Sequence, residues 1–264
     1  MDRHPAGDYG NQAMSPIEVS TLIFLCIFGG ALVGMWLRSI LPPHHLSDET
    51  KDLVKLGTGL IGTMAALLLG LLVASAKSAY DARSTELTAL AANTILLDRA
   101  LAHYGPATAE VRGTLKSAIA RLIDQVWAQD RLTPGANLAG SQPLGAVYDK
   151  VQELEPRSDA QRTLQSQAES IIVNLGQERL LLFAQSGTSI SIPFLVVVVF
   201  WLTVLFVSLG LFAPLNPTAI VTLFVAALSG AGALFLILDL DHPFSGLMQI
   251  PSTPLRTPLL VLGR

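Results

Sequence analysis

Hydrophobic residues along this chain fall into long, nearly uninterrupted blocks that flank one segment of mixed character. The four apolar blocks cover about Ile17–Leu37, Leu53–Ala76, Pro193–Ala213 and Thr218–Leu238. Each block reaches the ~20 residues that an α-helix needs to cross a hydrocarbon core of ~30 Å. No block carries a charge in its middle, although Lys55 lies near the start of the second. The pattern therefore predicts four transmembrane helices.

The central segment has the periodicity of amphipathic helices. Its apolar residues recur at steps of three and four, for example at Val111, Leu115, Ile119, Leu122 and Val126. No helix breaker lies between Ser75 and His103, so we expect the second membrane helix to continue beyond the membrane as one long rod. Breaks are predicted at Gly105-Pro106 and Glu155-Pro156. A short helix is expected near residues 146–154, and another from about Asp159 that leads into the third span.

These elements define a fold class and a domain division. We predict an all-α integral membrane protein, with four transmembrane helices and a helical cytoplasmic bundle inserted between the second and third. The N-terminal tail and the first hairpin of spans occupy residues 1–76, and the insert occupies 77–192. The second hairpin of spans covers 193–240, with its two helices joined only by the tight turn "PLNP", and a C-terminal tail covers 241–264. The first block lacks the basic flank of a secretory signal, so we interpret it as a retained helix.

Composition and charge support a membrane protein and exclude several other classes. Hydrophobic residues make up 51% of the chain and charged residues only 14%, against about a quarter in soluble domains. The net charge of −3 and the lack of a basic stripe argue against nucleic-acid binding. Cys26 is the single cysteine, which excludes an intramolecular disulfide and a cysteine-based metal site.

The basic residues near the predicted spans indicate the orientation, because cytoplasmic loops are enriched in Lys and Arg. On the side of the insert are Arg3, Lys77, Arg83, Arg179 and Arg256. On the opposite side are Arg38, Lys51 and Lys55. The bias predicts a multi-pass membrane protein with a cytoplasmic insert.

Small residues in the second span provide the first candidate site. Gly62, Ala66, Gly70 and Ala74 recur every four residues, with Thr58 and Thr63 nearby. Such spacing lets helix backbones approach closely in lipid. One interpretation is tight packing within the monomer. The other is an oligomer in which these residues line a narrow, uncharged pore. Gly30 and Gly34 in the first span form a lone GxxxG, which is a weaker signal.

The second candidate is the motif at the end of the fourth span, which contains Asp239, Asp241, His242, Pro243 and Phe244. The first aspartate and the histidine are three residues apart and share a helix face. The motif is interpreted either as a solvated helix end or as an acid ring at a cytoplasmic mouth. An acid at a helix C-terminus opposes the macrodipole, so a compensating partner such as Arg83 is also considered.

Other polar clusters do not indicate catalysis. His44 and His45 are adjacent and lack the spacing of metal ligands, so we expect no metal and no cofactor. The segment Asn93–Arg99 and the group Asp81, Arg83 and Glu86 are interpreted as interhelix or intersubunit ion pairs. No P-loop, GxSxG or catalytic triad pattern is present in the sequence. We therefore predict that the protein is not an enzyme.

Three segments together carry a family resemblance. They are "ARSTELTALAANTILLDRALAHYG", "PFLVVVVFWLTVLFVSLGLFAP" and "LILDLDHPFSGLMQIPSTPL". The chain resembles the bestrophin-like family of bacterial membrane proteins, which is distantly similar to bestrophin ion channels. The resemblance implies a pentamer in the bacterial inner membrane, with a pore lined by the second span. It also aligns the fourth-span motif with an acid-rich stretch followed by Pro-Phe-Gly in bestrophins, except that Ser245 interrupts the Phe-Gly step.

The chain departs from the bestrophin pattern in two places. The segment "LMQIPSTPLRTPLL" contains no carboxylate, whereas calcium-gated bestrophins carry a run of acids there. The second span has leucines where bestrophins have the aromatic residues of the pore neck; these are Leu67, Leu68, Leu69, Leu71 and Leu72. We therefore expect no calcium gating and a neck of different selectivity.

Three functional hypotheses share this layout. The leading one is a homo-oligomeric ion channel that conducts small ions along the second span. The alternative is a non-conducting, membrane-anchored helical scaffold or sensor whose insert binds a partner. Stator subunits of proton-driven motors have a similar order of spans, but they require a partner with an intramembrane acid, and the sequence shows no sign of that arrangement.

Overall fold

The structure is a computed structural model that describes residues 15–42, 47–127, 143–184, 190–244 and 246–262. Within these ranges the chain forms α-helices and one short 3-10 turn at Pro106–Thr108, without strands. The helices are α1 (Pro16–Ile40), α2 (Asp48–Tyr104), α3 (Ala109–Trp127), α4 (Pro143–Gln152), α5 (Asp159–Ala184), α6 (Ile192–Phe212), α7 (Pro217–Leu240) and α8 (Thr253–Val261). The predicted all-α class is confirmed.

Helices α1, α2, α6 and α7 are long and apolar enough to cross a membrane. Each contains one of the four predicted apolar blocks. Helix α2 continues for 57 residues without interruption, which confirms the rod expected from the absence of breakers. It ends at Tyr104. The next residue, Gly105, has a φ of +124°, which is accessible to glycine at little cost, and Pro106 follows.

Local sequence explains where the apolar helices α1 and α7 begin. Helix α1 begins with a capping box, in which Ser15 and Glu18 each accept the other's backbone N–H. Between α6 and α7 the four residues Ala213–Asn216 form the tight hairpin that the sequence predicts. Asn216 Oδ1 accepts the backbone N–H of Ala219 at 2.8 Å, and Pro217 occupies the first position of α7, where its missing N–H costs nothing.

The chain divides into two compact units. The first unit comprises Met1–Val73 and Ser191–Leu238, and the second comprises Ala74–Ile190 and Asp239–Arg264. Helix α1, the first part of α2, α6 and most of α7 belong to the first unit. The remainder of α2 and helices α3, α4, α5 and α8 belong to the second.

In the first unit, α1 and α6 pack backbone to backbone. A Cβ atom on Gly34 would collide with the carbonyl oxygen of Val207, and one on Gly210 would collide with that of Ala31. A Cβ atom on Gly30 would approach the methyl carbon of Thr203 at 3.0 Å. Glycine at these three positions therefore permits the close approach of the two helices.

Arg38 and a group of aromatic rings add to the packing of the first unit. The Arg38 Nη1 group donates to the carbonyl oxygens of Phe212, the last residue of α6, and of Ala213, which follows it. A cation is favourable there because the C-terminal end of a helix carries partial negative charge. Between α1 and α7, the ring of Phe224 meets those of Phe24 and Phe28 edge-on, each at 5.4 Å between centroids.

The second unit is a helical bundle with a conventional aliphatic core. Its side chains come from α2, α3, α4, α5 and the C-terminal segment, and include Leu97, Leu115, Val147, Leu175 and Leu255. All five residues of the predicted α3 stripe belong to this core, which confirms the amphipathic interpretation. The two units therefore pack differently: the first uses backbone contact at glycines, and the second uses an aliphatic side-chain core.

The C-terminal segment, which the sequence analysis set apart as a tail, contributes to the core of the second unit. Ile250, Leu255 and Leu262 are buried there. The Trp127 Nε1 group donates to the carbonyl oxygen of Ile250 at 3.0 Å. Lys116 Nζ donates to the carbonyl oxygen of Leu262 at 3.3 Å. These contacts attach the segment to α3.

Candidate functional site

The apolar part of α2 has one buried face and one open face. Ala65 and Leu72 are buried and form the inner face. The small-residue stripe, defined as Gly62, Ala66, Gly70 and Ala74, begins half-buried at its first residue and is exposed at the other three. A Cβ atom on Gly70 would meet no atom within 4 Å, and one on Gly62 would make only an ordinary contact with Leu205, at 3.9 Å. The single chain therefore leaves most of the stripe uncovered.

The two threonines beside the stripe direct their hydroxyl protons to their own helix. Thr58 is half-buried and donates to the carbonyl oxygen of Val54 at 2.8 Å. Thr63 is exposed and donates to that of Leu60, also at 2.8 Å. A hydroxyl whose proton is used in this way can offer only lone pairs to a ligand. The polar atoms beside the stripe are therefore acceptors.

The carboxylate of Asp239 holds the turn that follows α7. It accepts the backbone N–H groups of Leu247 and Met248, the latter at 2.8 Å from Oδ2. Only 2% of the residue is exposed. Ionised carboxylates form short, strong hydrogen bonds with backbone N–H groups, so this side chain closes the turn between residues 239 and 248. The burial favours a structural role for Asp239 over an exposed acid ring.

Gly246 makes this turn possible. Its φ of +103° lies in the region that favours glycine. A Cβ atom at this position would also collide with the Asp239 carboxylate. Both the conformation and the close approach therefore require glycine.

The rest of the motif is anchored in the bundle of the second unit. Arg83 on α2 is 4% exposed, and its Nη1 group donates to the backbone carbonyl of Asp241 at 3.2 Å. The structure thus brings together the arginine and the acid segment that the sequence analysis paired. Asp241 is itself buried, and the His242 N–H donates to the carbonyl oxygen of Asp239 at 3.1 Å. These bonds fix the chain as it leaves α7.

Pro243 and Phe244 complete the anchor. The Pro243 carbonyl accepts the backbone N–H of Ile250 at 2.8 Å. The Phe244 ring meets the Trp127 ring edge-on, with 5.7 Å between centroids. The same indole donates to Ile250, so Trp127 contacts both ends of the segment 244–250. The motif is a buried connector between α7 and the bundle.

Polar pairs cross the bundle at two further places. Arg112 on α3 donates to both carboxylate oxygens of Asp98 on α2, at 2.7 and 2.9 Å, and this bond raises the pKa of the Arg112 guanidinium. Asn93 on α2 donates to Glu178 Oε1 on α5 at 2.7 Å. Both α2 members lie in the Asn93–Arg99 segment, where interhelix pairs were predicted.

Burial raises the pKa of Glu178, and the nearby charge of Glu86 raises it further, while the Asn93 hydrogen bond acts in the opposite direction. Burial also lowers the pKa of the adjacent Arg179. At the surface, the hydrogen bond from Lys150 lowers the pKa of Glu110. Glu178 is thus an acid in the bundle whose surroundings disfavour its charge.

The described residues contain no group of three or more His, Cys, Asp or Glu side chains that could hold a metal ion. His44 and His45, which the sequence analysis considered for this purpose, lie outside the described residues.

The comparisons with known proteins agree with this architecture. The sequence matches the model of the Bestrophin-like domain over residues 25–255. The chain belongs to the Bestrophin-like family. A search of curated proteins found no match.

Solved structures of a bacterial Bestrophin homolog from Klebsiella pneumoniae, each with one alanine substitution, share the fold. One aligns with a TM-score of 0.66 and 15% identity, over 95% of this chain and 96% of that chain. A second aligns with a TM-score of 0.62 and 15% identity, over 93% of this chain and 96% of that chain. A third aligns with a TM-score of 0.62 and 17% identity, over 94% of this chain and 97% of that chain. At these identities the likeness establishes the fold of this Bestrophin-like chain.

Several residues of this site were missed by sequence reasoning. Gly246 was noted only as part of the family motif, although Asp239 depends on it. Trp127 and Glu178 were not singled out. The aromatic Trp127 at the end of an amphipathic stripe was an available signal, whereas nothing in the sequence distinguishes Glu178 from the other acids of the insert.

Proposed function

We propose that the protein is a homo-oligomeric ion channel of the inner membrane, in which copies of α2 surround a pore. The observation that carries this proposal is the open small-residue stripe of α2. The same chain uses Gly34 and Gly210 to bring α1 and α6 together, yet it leaves the stripe without such a partner. Small residues at helical spacing favour close helix approach in lipid, and copies of α2 from neighbouring subunits would supply it.

Family membership supports a channel over an enzyme, because the bestrophins that this family resembles are ion channels. By the same resemblance we propose a pentamer. The Lys and Arg distribution supports an arrangement in which the four apolar helices cross the membrane and the bundle and both termini are cytoplasmic. The candidate pore-lining residues are Thr58, Thr63 and the four members of the stripe.

The chemistry of these residues favours cations. A chloride ion needs hydrogen-bond donors, and the two threonine hydroxyls donate to their own helix. A partly dehydrated potassium or sodium ion instead needs acceptor oxygens, which these hydroxyls supply. No fixed charge lies between Lys55 and Lys77, so we expect weak discrimination among cations of similar size.

Ion flux from liposomes tests the proposal. Purified protein is reconstituted, and flux is measured under separate potassium and chloride gradients. Gly70→Leu would fill the proposed axis and is expected to abolish flux. Gly29→Leu is the matched control, because a Cβ atom on Gly29 also meets no atom within 4 Å but lies on α1. Absence of flux from the unaltered, correctly assembled protein under both gradients would overturn the channel proposal and favour the non-conducting scaffold.

Cysteine accessibility tests the pore lining separately. The single native cysteine makes the design simple: Cys26→Ser removes it, and new cysteines are placed at Ala66 and Ala74. A water-soluble thiol reagent is expected to modify both and to block flux. Val196→Cys on α6 is the control, since its side chain is exposed in the apolar part of the first unit. Modification of the control but not of the α2 positions would contradict a pore along α2.

A further inference from the structure

A polar contact lies within the aliphatic seam between α2 and α5 in the second unit. Asn93 and Glu178 form it, and each is flanked by buried leucines one turn before and one turn after. On α2 these are Leu90 and Leu97, and on α5 they are Leu175 and Leu182. The side-chain bond at 2.7 Å therefore joins the two helices at a partly buried position between these leucines.

The bond satisfies only one oxygen of the Glu178 carboxylate. Oε2 is buried, and no described residue provides it with a hydrogen-bond partner. An ionised carboxylate has acceptor sites on both oxygens, and a buried oxygen left without a donor raises the free energy of the charged form. The geometry alone therefore disfavours the carboxylate at this position.

The charged groups around the contact strengthen this effect. Glu86 lies seven residues before Asn93 on α2, hence on the same helix face, and its charge disfavours ionisation of Glu178. Arg83, one turn earlier, donates to the Asp241 carbonyl. Arg179 follows Glu178 on α5, and burial disfavours its charged form too.

We propose that Glu178 is a proton-responsive contact that sets how tightly α5 is held against α2. When a proton from solvent binds Oε2, the buried charge and its repulsion by Glu86 disappear, while Oε1 still accepts from Asn93. When the proton leaves, the charge returns and the contact weakens. Because α2 carries the proposed pore stripe, the inference rests on the proposed function where it concerns ion flux, and acidification should alter that flux.

The sign of the pH dependence follows from linkage. A carboxyl whose pKa in the folded state is raised above 4.5 is protonated more readily in the folded than in the unfolded chain. Its contribution to stability is therefore fully present below the ordinary pKa of Glu and is lost as pH rises through the raised pKa. Acidification from neutral pH is expected to tighten the α2–α5 contact.

Hydrogen exchange across a pH series tests the contact in the full chain without relying on conduction. Protection factors, corrected for intrinsic exchange, are measured for peptides covering residues 90–97 and 175–182. In the unaltered protein they are expected to rise on acidification, approaching about tenfold per pH unit for one linked proton. Glu178→Gln should hold them at a high, pH-independent level. Glu169→Gln, on the same helix, is the matched control and should retain the unaltered slope.

Two outcomes would overturn the proposal: an unaltered slope in Glu178→Gln, or no slope in the unaltered protein.

Asn93→Asp provides a second variant should the first fail to fold. It adds a carboxyl facing Glu178 and should shift the midpoint to higher pH, and an unshifted midpoint would contradict the proposal. Flux at each pH is recorded in parallel. If the protein never conducts but shows the slope, the channel proposal is refuted and the proton-responsive contact stands. If it conducts without the slope, the contact is refuted and the channel proposal stands.

Discussion

In the first unit α1 and α6 touch along their backbones, whereas in the second unit the helices are held apart by a layer of leucine, isoleucine and valine. The contact residues of the first unit include Gly30, Gly34 and Gly210, while large apolar side chains such as Phe200 and Leu228 are exposed. In the second unit the arrangement is reversed, and the largest aliphatic side chains are buried.

The difference is the one expected from the proposed arrangement, in which the first unit lies in lipid and the second in water. In water, burial of apolar surface drives helix association and contributes about 25 cal/mol per Å². In a bilayer the lipid tails are as apolar as leucine, so association depends on van der Waals contact and on polar groups. A glycine at a helix crossing therefore matters in the first unit as much as a leucine in the core matters in the second.

Gly210→Leu is expected to have the largest effect. Its side chain would collide with the α1 backbone, so the two helices would have to separate, at a cost of more than about 3 kcal/mol. Thermal unfolding in detergent and size-exclusion chromatography should show a large loss of stable, monodisperse protein. Gly29→Leu adds the same bulk in open space and should behave as the unaltered chain. Equal behaviour of the two variants would contradict the described α1–α6 packing.

Leu97→Ala tests the aliphatic half of the comparison. The Leu97 side chain is 0% exposed in the bundle core, and truncation should cost about 3 kcal/mol through lost burial and a residual cavity. Its neighbour Leu96 is 52% exposed, and Leu96→Ala should change stability by less than about 0.5 kcal/mol. Denaturant or thermal unfolding compares the pair. A similar loss in both would mean that Leu96 is also covered, for instance by another copy.

Asp239→Ala tests the connector that belongs to the second unit. The substitution removes the carboxylate that accepts the backbone N–H groups of Leu247 and Met248, so we expect a loss of about 2 kcal/mol. Asp239→Asn keeps one carbonyl oxygen as an acceptor and should lose less stability than Asp239→Ala. Asp159→Ala removes a fully exposed acid and serves as the control in the same thermal measurement. A harmless Asp239→Ala would show that the turn closes without the carboxylate.

Tyr104→Phe should have the smallest effect on stability, and whether it stabilises or destabilises the protein is informative. Tyr104 is buried, and its hydroxyl has no hydrogen-bond partner among the described residues. Removal of an unsatisfied buried hydroxyl is expected to be neutral or to stabilise by up to about 1 kcal/mol. The Tyr148 hydroxyl accepts from Gln152 at 3.0 Å, so Tyr148→Phe should instead destabilise slightly. A clear loss of thermal stability in Tyr104→Phe would reveal a partner for its hydroxyl.

The sequence was sufficient for features that depend on local chemistry. Block length identified the four apolar helices, Gly105-Pro106 marked the end of α2, and the short hairpin before Pro217 lies where it was expected. Helical periodicity also identified the α3 face that enters the core. Each of these follows from residues within a few turns of one another.

Features that depend on distant residues escaped prediction. Gly30 and Gly34 formed only a weak motif, because their partners in α6 lie about 170 residues further along and no local pattern reveals the register. The role of Asp239 depends on amide groups presented by a turn that only Gly246 permits. The environment that disfavours the charge of Glu178 includes residues on α2, whereas the apolar pattern of α5 indicates only which face of that helix is buried.

The pairing of α1 with α6 also has a consequence for biosynthesis. Roughly 150 residues separate the end of α1 from the start of α6, so at about 5–20 residues per second the ribosome needs about 8 to 30 s to supply the partner. During this interval the contact glycines of α1, Gly30 and Gly34, have no partner helix. In the proposed membrane arrangement lipid tails cover them, without the aggregation that an open leucine seam would cause in water. Substitutions at Gly34 or Gly210 should therefore leave insertion of the nascent helices intact and act afterwards, on their assembly within the bilayer.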